Sequence, residues 1–222
     1  ADHSDGMGAM TEIIAGNPTL LSDPTVKQWH EQLAGDGEAA RAAAMAIIVS
    51  YTARDIPAVL GEEAFVRPIR VDYLQTAEQF NAPGEFTALI GYEWTSTDGG
   101  NNLHRNVIYR GDAQAAATLL PHTTLESANP EGLWRWMDRY EALSGSQVLA
   151  IPHNGNVSNG LMFPVAGNPA TGEPLDAQYL QQRARWEPLY EVTQIKGDSE
   201  SHPYLSPSDE FAGFDHLWDQ TN

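Results

Sequence analysis

The chain has 222 residues, 41% of them hydrophobic, enough for one α/β domain with an adequate core. Its 30 acidic and 12 basic residues give a formal net charge of -18. That balance argues against nucleic acid or an anionic membrane as partner, since both need clustered Lys and Arg. The absence of cysteine excludes disulfides, thiolate metal ligands and a cysteine nucleophile, and fits cytoplasm and periplasm equally. No apolar run approaches the roughly 20 residues of a membrane span.

Ala1 to Gly8 is a polar, loop-like start in which Asp2, His3 and Asp5 form a small cluster of potential ligands. Residues from about Asn17 to Leu33 read as a helix, with Asp23-Pro24 suggesting a cap and first turn. Gly35-Asp36-Gly37 breaks it, and the Ala-rich stretch Glu38 to Tyr51 reads as a second helix. Glu62 to Phe80 is a third, with Pro68 favouring a turn or kink near its start and Asn81-Ala-Pro-Gly84 a strong stop. Phe86 to Tyr92 has the composition of a buried strand. It delivers Glu93, and a Gly/Asn-rich loop then leads to His104-Arg105 at the start of another strand.

After Arg110 the chain reads as loop to Pro121. Asn129 to Leu143 reads as a helix capped by Asn129-Pro130. Gln147 to Pro152 is a short buried strand that delivers His153-Asn154. Asp176 to Ala184 reads as a helix, and Pro188 to Ile195 as a further strand leading to Lys196 and Asp198. Strands separated by helices predict βαβ units and a mostly parallel sheet, with sites at the C-terminal strand ends. Glu93, His153 and Lys196 each follow a predicted strand directly.

Three histidines and a carboxylate without thiols suit zinc, manganese or iron. Glu93 can bridge cations or act as a general base, with His104 and His153 as ligands and Asp2-His3 as a further ligand pair. Arg105, Asn154 and Lys196 have the chemistry to bind a small anionic substrate. His30, His122, His202 and His216 read as non-ligands. Trp94, Trp134, Trp136 and Trp186 read as core residues rather than a carbohydrate platform. No phosphate-binding glycine loop and no Gly-x-Ser-x-Gly elbow is present.

Four stretches carry a resemblance along nearly the whole chain: Phe86 to Ser96, Asn102 to Tyr109, Pro152 to Phe163 and Glu187 to Pro203. They resemble the bacterial family called domain of unknown function 3604. That family in turn resembles the PHP (polymerase and histidinol phosphatase) metal-dependent phosphoesterases. The resemblance implies a partial, distorted (β/α)7 barrel of PHP type over residues 1–222, with mostly parallel strands, outer helices and both termini incomplete. It implies two or three divalent cations in the full-length protein, with Asp2, His3, Glu93, His104 and His153 as metal ligands. On this reading the chain is a phosphoesterase-like metal-dependent hydrolase in which Glu93, His153 and Arg105 do the chemistry. An ester, lactone or amide hydrolase on the same metal, and a non-catalytic anion- or carbohydrate-binding module, are the alternatives. The PHP pattern's N-terminal His-x-His and C-terminal Asp-x-His motifs have no match, since Asp198 to His202 has a different spacing.

Overall fold

Helices occupy most of the first 80 positions. A computed structural model describes residues 2–35, 37–165, 167–198, 203–204, 207–210 and 212. Helix α1 (Ala9–Ala15) closes on Gly16 in the left-handed region, a conformation that costs glycine little. Helix α2 (Pro24–Leu33) is capped by the Asp23 carboxylate, which accepts from the backbone N–H groups of Thr25 and Val26, with Pro24 in the first turn. Helices α3 (Glu38–Ala53) and α4 (Glu63–Gln79) follow, and α4 runs unbroken through Pro68. Ile13, Leu20, Val26, Trp29, Ile47, Leu60 and Phe65 join these elements in one apolar cluster.

The sheet is built from β1 (Gly91–Trp94), β4 (Arg105–Tyr109) and β5 (Val148–Pro152), in the order β1-β4-β5. Between β1 and β4 the chain makes a two-stranded excursion, β2 (Thr97–Asp98) and β3 (Asn101–Asn102). Gly99 and Gly100 turn this hairpin, both with positive φ, as a tight two-residue loop requires. Helix α5 (Ala113–Ala116) precedes α6 (Pro130–Ser144), which is capped by Asn129. Helix α7 (Ala177–Trp186), capped by Asp176, packs with α6 beside β5. The inner side chains Tyr92, Trp94, Val107, Tyr109 and Ala150 of the sheet meet Leu133, Trp134, Trp136, Met137 and Tyr140 of α6 in the main core.

Three expectations are corrected. First, the expected (β/α)7 barrel of mostly parallel strands is not formed. Both pairings of the main sheet are antiparallel, and among the described residues no barrel closes. The ten residues between β1 and β4 hold a hairpin, too little chain for the crossover helix that parallel strands need. Second, Pro188 to Ile195 does not form a further strand of this sheet. Only Thr193–Gln194 (β6) pairs, with Gly197–Asp198 (β7), in a separate two-stranded unit. Third, the apolar run Phe86 to Tyr92 is a buried strand only at its end. Phe86 and Leu89 are exposed, and β1 starts at Gly91.

The polar start of the chain is tied to the sheet. His3 makes a parallel bridge to Glu93, with Glu93 N–H donating to Asp2 O and Ser4 N–H to Glu93 O. Among the described residues no single helix is long and apolar enough to cross a membrane.

Candidate metal centre

Strand alternation decides which side chains meet. Successive residues point to opposite faces, and cross-strand partners share a face. The register pairs Trp94 with Arg105 and Pro152, and Glu93 with Asn106 and Ile151. His3 pairs with Glu93. His104 and His153 lie one step outside the ladder, in phase with Asn106 and Ile151. Thus His3, Glu93, His104, Asn106 and His153 belong to one face, and Trp94 and Arg105 to the other.

The distances agree. Glu93 Oε1 lies 2.8 Å from His104 Nδ1, 3.2 Å from His153 Nε2 and 3.7 Å from His3 Nδ1. One ligand atom from each of Glu93, His104 and His153 lies within 4.8 Å of the others, a group that can hold a metal ion. Neighbouring hydroxyls and an amide fix the imidazoles. His104 Nε2 sits 3.0 Å from Thr97 Oγ1, and the Asn102 carboxamide oxygen accepts from the His104 backbone N–H. His153 Nδ1 is 3.3 Å from the Asn106 amide. His3 Nδ1 lies 2.5 Å from Thr95 Oγ1, which itself donates to Glu93 O.

The centre fits a cation. With Nε2–H of His104 directed to Thr97, its Nδ1 presents a lone pair. That nitrogen is buried and, despite its short approach to Glu93, has no aligned hydrogen-bond partner. Two electron pairs facing each other at 2.8 Å are repulsive unless a proton or a cation lies at the site. Burial alone would raise the Glu93 carboxyl pKa, but the imidazoles of His104 and His153, with the charge of His153 and His3, hold it far below the usual carboxylate range. Burial pushes His104 down despite the pull of Glu93. Both shifts keep the donors deprotonated, as metal ligands must be.

A cleft of about 510 Å³ opens beside this centre and shares with it His3, Thr95 and Thr97. Its other walls come from the first residues of the chain, from α3 and from Arg54 and Asp98.

A family model described as "Protein of unknown function (DUF3604)" matches residues 1–222. The chain belongs to this family. No curated protein and no solved structure matches it. Within this DUF3604 chain the expected site residues divide into two groups.

Glu93, His104 and His153 are brought together, with His3 at their margin. Asp2 joins through its backbone, and its exposed side chain lines the cleft. Arg105 is elsewhere. It is fully buried on the opposite face, with Nε 3.0 Å from Glu187 Oε1 and its guanidinium over the Trp94 ring. Asn154 is buried behind His153 in a left-handed conformation, out of the cleft lining. Lys196 is exposed in the β6–β7 turn, where its carbonyl accepts from Asn156. The carbohydrate-platform alternative has no support from Trp94, Trp134, Trp136 and Trp186, which are all buried. His122 is buried against Glu126, and His30 approaches Ile13 O. His202 and His216 lie outside the described residues.

The sequence reading missed Thr95, Thr97 and Asn106, which hold the imidazoles. Hydroxyl residues at 95 and 97, just past the strand that carries Glu93, were the available signal.

Proposed function

We propose that this chain is a metal-dependent hydrolase whose metal is held by Glu93, His104 and His153. The observation that carries the reading is the convergence of these three ligand atoms within 4.8 Å, next to an open cleft. Two imidazoles and a carboxylate form a donor set suited to zinc, manganese or iron, and leave positions for water and substrate. Such a metal lowers the pKa of water toward 7 and stabilises negative charge that develops on a substrate oxygen.

The residues of the chain supply the rest. Thr97 and Asn106 set the ring orientations of His104 and His153, as the partners of metal-bound histidines do. The Asn106 amide nitrogen lies 3.3 Å from His153 Nδ1 and holds the ring with Nε2 facing Glu93 Oε1. His3 stands between the centre and the cleft. With Nδ1 engaged by Thr95, its other nitrogen is available to take or give a proton. The phosphoesterase subclass rests on the PHP resemblance alone, and a fold or family likeness does not decide chemistry.

Calorimetric titration of the metal-free protein with Zn²⁺ and Mn²⁺ tests the reading. Saturable uptake is expected in the wild type, with a loss of at least tenfold in affinity in Glu93→Gln and in His153→Ala. Wild-type uptake in both variants refutes the centre. Bound metal without turnover of any phosphoester, ester or amide substrate refutes the hydrolase.

A further inference from the structure

The cleft beside the Glu93 centre has a composition that discriminates among substrates. Its body is apolar, from Met7, Met10, Ile47 and Ile48, with Tyr51 alongside. Among the described residues its charged lining is three carboxylates, Asp2, Asp5 and Asp98, against one guanidinium, Arg54. That guanidinium is already paired, with Nη2 3.1 Å from Asp98 Oδ1. Asp5 is also engaged, its Oδ1 accepting from the backbone and the hydroxyl of Thr124. A phosphate ester calls for the reverse arrangement, with several Arg, Lys or backbone N–H donors aimed at the phosphoryl oxygens. Arg105 and Lys196, the cations expected to bind an anionic substrate, are absent from this lining.

We propose that the cleft takes an uncharged carboxylic ester with an apolar acyl arm, and that it rejects phosphate esters. The proposal rests on the metal-hydrolase reading for its chemistry, but its binding preference stands on the cleft alone. The acyl arm lies along Met7, Met10 and Ile48, and the ester carbonyl lies toward His3, where the cleft meets the centre. The reaction adds one water. A carbon–oxygen bond forms at the acyl carbon, the bond to the alcohol oxygen breaks, and the proton lost by the attacking water ends on the departing alcohol.

Two measurements test this. In the first, metal-free protein is titrated calorimetrically with N-methylhexanamide, an uncharged mimic with its apolar arm on the acyl side, and with phenylphosphonate. Binding of the amide is expected, with binding of the phosphonate at least tenfold weaker. Ile48→Asp, at a half-exposed wall position, should weaken the amide at least fivefold, because each buried methylene contributes about fourfold in affinity. Asp98→Asn frees Arg54 and should strengthen phosphonate binding about two- to fivefold. In the second, metal-loaded protein is assayed on p-nitrophenyl acetate, butyrate and hexanoate and on p-nitrophenyl phosphate. kcat/KM should rise along the ester series, with phosphate at background. Tighter binding of phosphonate than of the amide, or faster turnover of the phosphate than of every ester, overturns the proposal and leaves the metal centre standing. Amide binding in a protein that takes up no metal overturns the hydrolase reading and leaves the cleft preference standing.

Discussion

Glu187 offers the sharpest test of how the core tolerates charge. Its carboxylate is 1% exposed, accepts from two donors and faces a second guanidinium. Oε1 accepts from Arg105 Nε at 3.0 Å and from Trp134 Nε1 at 2.8 Å, while Oε2 lies 3.1 Å from Arg183 Nη2. Burial pushes the Arg105 guanidinium pKa down, and Glu187 opposes that push. At an effective dielectric of 20, each ion pair at about 3 Å contributes an attraction of about 5 kcal/mol, most of it offset by desolvation. Glu187→Gln keeps the shape and an acceptor oxygen but removes the charge, leaving Arg105 buried without compensation. The expected loss is about 3–5 kcal/mol, a large share of the 5–15 kcal/mol typical of a domain. In this chain length that lowers Tm by roughly 6–20 °C. Urea unfolding followed by tryptophan fluorescence measures it. Arg185→Ala is the control, since this half-exposed residue pairs with Asp138 and Glu141 at the surface and its loss should cost under about 1 kcal/mol. A Glu187→Gln penalty equal to that of the control would show that Arg105 and Arg183 are compensated some other way, and would undo the structural role given to Arg105.

Three further outcomes are expected. In metal-free protein the depressed pKa values of Glu93 and His104 mean that the unfolded chain binds more protons than the folded one. The His104 contribution is therefore complete above its ordinary value of 6.5 and lost below it, and the Glu93 contribution is complete above 4.5 and lost below that. Each contributes a slope of at most about 1.4 kcal/mol per pH unit, and equal stability at pH 7.5 and 5.5 in urea melts would contradict the His104 part. Zn²⁺ or Mn²⁺ at a hundredfold excess over its Kd should stabilise the fold by about 2.7 kcal/mol, roughly 5–10 °C in Tm, with the gain abolished by a chelator and absent from Glu93→Gln. Gly91→Ala should cost about 1–3 kcal/mol by thermal melting, because its Cβ would meet Val107 O at 2.8 Å and Ile108 Cδ1 at 2.9 Å.

Much of the local structure was legible because its signals are local. Asp23, Asn129 and Asp176 cap the helices that their sequence contexts announce. The proposed ligands Glu93, His104 and His153 were legible because each borders an apolar run. The error about Arg105 was avoidable, since it is adjacent to His104 and alternation sends neighbours to opposite faces. The sheet's direction was not legible. A helix between two strands suggests a parallel crossover, yet α6 lies between β4 and β5, which are antiparallel. The exposure of Phe86 and Leu89 was also hidden, because an apolar run does not say what will cover it.

Glu93, His104 and His153 converge although the expected topology is not formed, and the sheet explains why. β1 and β5 are both antiparallel to β4, so they run in the same direction and end at the same edge, where β4 begins. A rule that looks for ligands at C-terminal strand ends therefore finds Glu93 and His153 in either architecture. His104 at the start of β4 belongs only to the antiparallel one. The centre consequently depends on the register of the middle strand more than on any loop. A slip of one residue would carry Arg105 to the face of Glu93 and turn His104 and Asn106 toward the core. Gly91 resists such a slip, because it lets β1 approach Val107 O and Ile108 so closely that a side chain there would collide with them. A residue that fixes the geometry of the proposed metal site is thus one with no side chain, two positions before the carboxylate at its centre.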